Sequence, residues 1–370
     1  MTSGILRSRR PIRAAEVGLG ISITVAIIAI ASAIPHLPWQ LLKPLTSFVA
    51  RYPLLNALAN AAMVANFVAL QCLGFIWLER KFAGWMQARV GPMHVGWKGL
   101  LQTVADAVKL LLKEDIVPTD ADKPLFALAP YLVFVPSLLT FMVLPFTSAW
   151  VGYDLPLGAL FVLSISTTSI LGVFAAGWGS NNKYSLLGGV RAIAQLLSYD
   201  VPLILVMLSV VMLSGTMSLT GIVTQQEKLW NIAAHPLLMI PAFLIFLICT
   251  LAEVNRAPFD LPEAESELVS GFHTEYSGMR FAFFFLAEFA NNFFSAGLAV
   301  TLFFGGWLGA GLPAAVWFTL KTLCVIFLMM WIRWTLPRLR IDQMMSFCWK
   351  VLVPASMALI CAAAIAGVSH

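Results

Sequence analysis

Four ionisable residues stand in apolar stretches where no water would stabilise a charge: Asp200 in LLSYDVP, Glu253 in LAEVNR, Glu288 in FFLAEFANN and Lys321 in FTLKTL. A charge at the centre of a bilayer costs about 3 kcal/mol or more, and such residues mark ion or proton pathways. A carboxyl group so placed can take up and release protons in turn. Glu253 and Arg256, three apart, share a helix face and can neutralise one another. Glu288 and Lys321 have no opposite charge within a turn of their own helix and must find partners on other helices or in internal water. A static inter-helix ion pair and a proton relay look the same in sequence.

A second concentration of acids lies in RAPFDLPEAESELVSGFHTEYSGMR, residues 256–280, which contains Asp260, Glu263, Glu265, Glu267 and Glu275. Asp260 followed by Pro262 and Glu263 fits a helix start, with acids at the positive end of the dipole. A cap does not require five acids. The segment is either a solvated acidic loop opening a short helix or a surface that handles protons or docks a partner.

Other chemistries lack their residues. Of His36, His94, His235, His273 and His370, only His235 lies near an apolar stretch, so no pair is placed to ligate haem, and the five cysteines form no C-x-x-C pair. No G-x-x-x-x-G-K or G-x-G-x-x-G occurs. The chain is expected to bind no metal, redox centre or nucleotide of its own and to hold no catalytic residue in the usual sense.

The elements that position these charges follow from composition. Of 370 residues, 60% are apolar and 11% charged, against about 25% charged in soluble domains, which excludes a soluble globular fold. A spanning helix needs about 20 apolar residues. Nine segments qualify: 15–34, 55–78, 126–147, 157–178, 197–215, 236–255, 281–304, 313–333 and 347–367. Long helical runs, rather than short alternating ones, predict an all-α polytopic transmembrane helix bundle of about nine spans and not a barrel. The chain reads as a single integral membrane domain over 1–370. Basic residues gather in alternate segments, at Arg7–Arg13, Arg80–Lys123, Lys183–Arg191, Arg256–Arg280 and Arg333–Lys350, whereas the other side holds Lys43, Arg51 and Lys228. That bias places the N-terminus in the cytoplasm and the C-terminus across the membrane. The run from Val17 to Ile34 exceeds the usual signal-peptide core and has no clean cleavage site after it.

Residues 99–114, GLLQTVADAVKLLLKE, place Leu100, Val104, Val108, Leu111 and Leu112 on one helix face and Gln102, Asp106, Lys109 and Lys113 on another. This predicts an amphipathic helix lying at the cytoplasmic interface. It is either a surface connector or a helix that turns Asp106 and Lys109 toward a polar cavity in the bundle.

Five strings in order, ERKFAGWMQARVGP (79–92), DAVKLLLKED (106–115), GWGSNNKYSLLGGVRAIAQLLSYD (177–200), AEVNRAPFDLPEAESELVSGFHTEYSGM (252–279) and PRLRIDQMMSFCWK (337–350), resemble the H-subunit (subunit 1) family of complex I, the proton-translocating NADH:quinone oxidoreductase. The resemblance covers about 60–355. It implies a non-redox subunit that encloses a quinone chamber where the membrane arm meets the peripheral arm, with quinone bound as substrate at the subunit interface. It puts Arg80, Arg89, Asp106, Phe285 and Arg333 at that chamber and Asp200, Glu253, Glu263, Glu265 and Glu288 on a chain of carboxylates leading from it. Glu79, Arg256, Asp260, Glu267, Glu275 and Lys321 are supporting charges. The quinone tail would enter between the helices at 55–78 and 281–304. Implied partners are peripheral iron-sulfur and quinone-site subunits, small membrane subunits, antiporter-like subunits and lipid, with no nucleic acid. The implied location is the bacterial inner membrane, C-terminus periplasmic. The mitochondrial inner membrane is the alternative, because the Arg-rich, acid-poor start also resembles a transit peptide.

The chain departs from the family pattern in three places. Asp200 stands where the family has glutamate. His94 stands where it has arginine, exchanging a constant charge for a titratable one. The span at 15–34 is additional to a core of eight over 55–367. A homologous membrane protein of a membrane-bound hydrogenase would share the acidic loop without needing quinone, but the ERK, Q-x-R-x-G-P and SNNKYS strings favour the quinone enzymes. A stand-alone transporter predicts internal repeats, and none is visible.

Overall fold

The computed structural model describes residues 53–148, 151–262 and 265–368; the expected span at 15–34, Glu263 and the side chain of Glu265 lie outside what it describes. All regular elements among the described residues are helical, because in lipid a spanning backbone must satisfy its own polar groups. Among the described residues, eight helices are long and apolar enough to cross a membrane, the number expected over 55–367.

The helices are α1 (Pro53–Met86), α2 (Gln102–Leu112), α3 (Lys123–Phe141), α4 (Gly158–Gly179), α5 (Lys183–Ser214), α6 (Leu219–Gln225), α7 (Pro236–Glu253), α8 (Gly278–Phe303), α9 (Ala314–Thr335) and α10 (Ile341–Phe347). A π-helical segment, Cys348–Leu352, joins α10 to α11 (Val353–Val368). Two spans are longer than hydropathy indicates. Helix α1 has 34 residues and α5 has 32, lengths of about 50 Å against hydrocarbon about 30 Å thick, so both project beyond it. The sequence places the fifth span at 197, but the polar stretch before it continues the same helix to Asn182, whose side chain accepts from the Tyr184 amide at 2.9 Å.

Helix α8 is the axis of the bundle: 72% of its spanning window is buried, against 22% for Ile341–Ala366. It packs against α1, α2, α3, α6, α7 and α9. Helices α4 and α5 approach closely at glycines, where a Cβ on Gly177 would come within 2.8 Å of the Ser185 carbonyl and 3.1 Å of the Gly189 Cα. Prolines inside spans free carbonyls one turn back, and neighbouring helices take them up. Pro130 frees the Phe126 carbonyl, which accepts from Tyr276 Oη at 3.1 Å. Pro202 frees that of Ser198, which accepts from Cys348 Sγ at 3.1 Å.

At the end of α8 far from the acidic loop, the buried Gln226 side chain donates to the Thr301 carbonyl and accepts from the amides of Asn231 and Gly305. Lys321 joins this seam. Its ammonium donates to the carbonyls of Phe304, Gly306 and Leu308 at 2.7, 3.1 and 2.6 Å and lies 4.4 Å from the Trp230 ring centre. The partner that Lys321 requires is thus the carbonyl end of α8 and the turn after it, where a cation complements the helix dipole.

Candidate functional site

A cavity of about 600 Å³ opens between α1, the ends of α7 and α9, the start of α8 and the segment after α1. Two of its borders are set by helices that stop, while α3, α4 and α5 pass along it through Val133, Ser169, Val173 and Leu196. Helix α1 ends with Ala88 in the left-handed region (φ 52), the Ala88 amide donating to Trp85 O at 3.2 Å and the Arg89 amide to Gly84 O at 2.8 Å. Helix α7 ends in the same geometry, with Asn255 left-handed (φ 51), its amide on Ala252 O and the Arg256 amide on Leu251 O. These paired bonds are a Schellman termination.

Helix α8 supplies the aromatic wall. Phe281, Phe284, Phe285, Glu288 and Phe289 all line the cavity, at helical spacings of three and four that bring them to one face. Of the residues the resemblance places at a chamber, Arg80, Arg89, Phe285 and Arg333 are on the wall. Asp106 is not, but pairs with Arg80 and accepts from Gln102 at 3.1 Å, which ties α2 to α1. Lys109 is exposed and off the cavity, so of the two polar residues expected to turn inward on α2, only Asp106 points to the bundle. Val104, Val108, Leu111 and Leu112 are exposed on the amphipathic face.

Charges on the wall and one sealed behind it form a single network. Arg256 is 1% exposed; Nη1 donates to Glu79 Oε2 at 2.8 Å, and Nε lies 3.4 Å from Glu288 Oε1. Glu79 also pairs through its other oxygen with Arg333. The Asn292 amide, with its oxygen toward the guanidinium, accepts from Nε at 2.9 Å. The Phe75 and Phe289 ring centres lie 5.8 and 4.9 Å away. Two carboxylates and two guanidiniums therefore alternate at the cavity, with Glu79, Glu288 and Arg333 on its wall and Arg256 sealed behind them.

The expected Glu253–Arg256 pair does not form. The termination at Asn255 turns the chain off the α7 axis, so Arg256 leaves the face of Glu253 and reaches α1 and α8 instead. Glu253 stays on the cavity wall. Asp200 of α5, whose charge acts on Glu253, is buried, off the wall, and has no hydrogen bond at Oδ2. In the acidic loop, Asp260 pairs with Arg338 at 3.1 Å and Glu267 with Arg191 at 2.5 Å, and Glu275 accepts from Asn182 at 2.5 Å. These three bind the loop to α5 and to the chain before α10.

Sequence reasoning misses His273 and Gln195. His273 lines the cavity, and burial pushes its imidazole down to about 4, so it is neutral near pH 7. Judging histidines by nearness to spans hides it, because it reaches the cavity from a 3-10 turn, Gly271–His273. Gln195, wholly buried, donates to the carbonyls of Ala252 and Phe259 at 2.8 and 2.7 Å and fixes the turn that carries Arg256. Among the described residues, no cluster of three or more His, Cys, Asp or Glu is arranged to hold a metal.

A family model described as NADH dehydrogenase matches residues 59–364. The H subunit of NADH-quinone oxidoreductase from Geobacillus kaustophilus is 52% identical over 324 residues, 86% of this chain and 95% of that protein. The chain belongs to the family of NADH-quinone oxidoreductase H subunits. The corresponding proteins from Bacillus cytotoxicus (53% over 304 residues, 80% of this chain and 90% of that one) and Brevibacillus brevis (50% over 309, 82% and 90%) agree. As a member of this family it is a multi-pass membrane subunit of complex I, and other complex I subunits are its partners. The family match takes in α1 through most of α11 and so contains the whole cavity.

Proposed function

We infer that this protein forms the membrane-side part of a quinone chamber and couples quinone reduction to proton movement. The observation that carries the reading is a cavity with an aromatic wall that opens directly onto an alternating Glu–Arg network reaching into the bundle. A quinone is an apolar ring with carbonyl oxygens that gain electrons and then protons. The Phe281–Phe289 face suits the ring and tail, which enters between α1 and α8. Arg89 and Arg333 supply cations for the carbonyl oxygens as negative charge arrives. The electrons come from iron-sulfur subunits in the peripheral arm, which with quinone-site subunits close the chamber. The chain contributes no redox centre or bound cofactor, so the translocating enzyme is the assembly.

The coupling step is electrostatic. Arg333 is 30% exposed at its side chain and pairs with Glu79, whereas Arg256 is sealed. Negative charge in the chamber attracts Arg333 away from Glu79, and Glu79 then competes with Glu288 for Arg256. A weakened Arg256–Glu288 contact raises the tendency of Glu288 to hold a proton. Glu253 and Asp200 continue the route, with Glu263 and Glu265 of the acidic loop as its entry. The cavity faces the cytoplasm, the N-terminus is cytoplasmic and the C-terminus periplasmic, with small membrane subunits and antiporter-like subunits alongside.

Glu288→Gln in the assembled complex tests this reading. It is expected to lower quinone-reductase turnover or protons moved per NADH severalfold while NADH:ferricyanide activity persists; unchanged turnover and proton yield would remove Glu288 from the route.

A further inference from the structure

A helix that ends in a left-handed residue usually places glycine there, because glycine has no Cβ to strain. Helix α7 ends instead in Asn255, φ 51, so a side chain is kept at a backbone cost that glycine would avoid. That side chain is held from behind. Gln195, wholly buried, donates through Nε2 to the carbonyls of Ala252 and Phe259 at 2.8 and 2.7 Å and to Asn255 Oδ1 at 3.2 Å. Two backbone carbonyls accept from the same atom, so that end of the Gln195 amide is its nitrogen, and the Asn255 atom facing it is an oxygen. The Asn255 nitrogen, bonded to the same carbon as that oxygen, turns away from Gln195 on a residue that lines the cavity. No acceptor among the described residues takes its hydrogens.

Other donors on the wall are committed or closed off. Arg80 pairs with Asp106 and Arg333 with Glu79, and the Trp334 indole N–H, which has no partner either, is sealed. Asn255 differs in being fixed at one end of its amide and open at the other. It is also uncharged, so it can bond a neutral oxygen without the desolvation cost of an ion.

We propose that Asn255 is a binding residue for the ligand of the cavity, its amide nitrogen donating a hydrogen bond to a carbonyl oxygen of the oxidised quinone ring, and that Gln195 positions it. The proposal rests on the quinone-chamber reading and deepens it. Arg89 and Arg333 meet negative charge as electrons arrive, whereas Asn255 acts before they do, on the neutral ring. Its effect therefore falls on quinone affinity and not on the step that follows. Asparagine meets both demands of the position. Its short polar side chain tolerates left-handed backbone better than most, and its amide offers an acceptor to Gln195 and a donor to the ligand at once.

The test uses membranes with the assembled complex and titrates quinone, with NADH:ferricyanide activity reporting assembly. Asn255→Gly keeps the left-handed termination, and with it the direction of Arg256, and removes the amide. Asn255→Asp keeps the acceptor for Gln195 and puts a carboxylate oxygen where the donor was. Asn255→Gly is expected to raise the apparent quinone KM about fivefold, the worth of one neutral hydrogen bond, with the change in KM rather than in turnover at saturating quinone. Asn255→Asp is expected to raise KM further, since an acceptor then faces the ring carbonyl. An unchanged KM in Asn255→Gly, with Arg89→Ala still raising it, removes Asn255 from the site and spares the chamber. An unchanged KM in both Asn255→Gly and Arg89→Ala removes the chamber, and the proposal with it. A KM for Asn255→Asp nearer to the parent than that of Asn255→Gly shows that only the bond to Gln195 matters and overturns the proposal. Loss of assembled complex in both variants assigns Asn255 to the fold alone and overturns it as well.

Discussion

Arg256→Met is the most searching perturbation of the charge network. Methionine fills much of the space between Phe75 and Phe289, so the loss is chiefly electrostatic. Glu79 retains Arg333, but Glu288 loses the one cation within 4 Å that it has among the described residues. Removing one member of a buried pair costs about 3–5 kcal/mol. A second route to the magnitude agrees. The stranded carboxylate can escape by binding a proton, and doing so at pH 7 from an ordinary glutamate value near 4.3 costs about 3.7 kcal/mol. The smaller cost governs, so the variant should lose about 3–4 kcal/mol, roughly a few hundredfold in the folded fraction. The amount of assembled complex in membranes and the midpoint temperature for loss of NADH:quinone activity should both fall. Adding Glu288→Gln removes the stranded charge and should recover most of the assembly without restoring proton yield. Arg256→Lys should be intermediate, because an ammonium lacks the planar fork that reaches Glu79, Glu288 and Asn292 together. An Arg256→Met complex as stable as the parent, or no gain from the second substitution, would refute the assignment of a buried, charge-balancing role to Arg256.

Arg89→Ala should raise the apparent quinone KM or abolish quinone turnover while the NADH:ferricyanide reaction survives; a normal quinone titration removes Arg89 from the chamber. Burial holds the His273 imidazole at about 4 when folded, against about 6.5 when unfolded. The unfolded chain therefore binds the extra proton between those values, and the stability contributed by neutral His273 is present above pH 6.5 and lost as pH falls toward 4. The Tm of the purified complex should consequently drop less between pH 7 and 5 in His273→Gln than in the parent, and equal drops would show that His273 is not what titrates. Lys321→Met strands three carbonyls at the end of α8 and should cost about 2 kcal/mol of thermal stability. It leaves quinone KM unchanged, since that seam lies about 24 Å along α8 from Glu288; a changed KM would mean that the two ends of α8 are coupled.

The spans were legible because lipid imposes a length and a polarity on any helix that crosses it, and the α2 surface helix because its apolar positions repeat at helical spacing. On the cavity face of α8, Glu288 was legible as a charge in an apolar stretch and Phe285 only through the family resemblance; the spacing at threes and fours that adds Phe281, Phe284 and Phe289 is seen in the structure. The charge partners were not. Glu79 and Arg256 are 177 positions apart and Glu79 and Arg333 are 254 apart, and no local pattern encodes contacts at that range. Local reasoning offered Arg256 as one possible partner for Glu253 because it counted positions on a continuous helix, but the helix ends between them. Lys321 was expected to find its partner on another helix or in internal water, but which partner was hidden for a related reason. Its partners are backbone carbonyls, which carry no side-chain signature; the glycines at Gly305 and Gly306 after Phe304 were the available sign that a helix stops there. For Gln195 no signal existed, since its partners are carbonyls of a turn defined only in three dimensions.

The positions of the helix breaks explain why charges can be kept here at all. In hydrocarbon a backbone that leaves helical geometry strands polar groups, so irregular backbone is tolerated only where protein or a water-filled cavity receives it. The left-handed turns at Ala88 and Asn255 border the cavity and set the directions of Arg89 and Arg256. Pro202 weakens α5 two residues after Asp200, and the freed carbonyl goes to Cys348 in the only π-helical segment among the described residues. Each ionisable group on α5 and α7 that the proposed route would use thus stands within a few residues of a place where its helix ends or loosens. A continuous helix would hold Glu253 and Arg256 on one face, three apart and mutually neutralised. Ending α7 between them separates the charges, sends Arg256 to Glu79 and Glu288, and leaves Glu253 on the cavity wall free to respond to what enters.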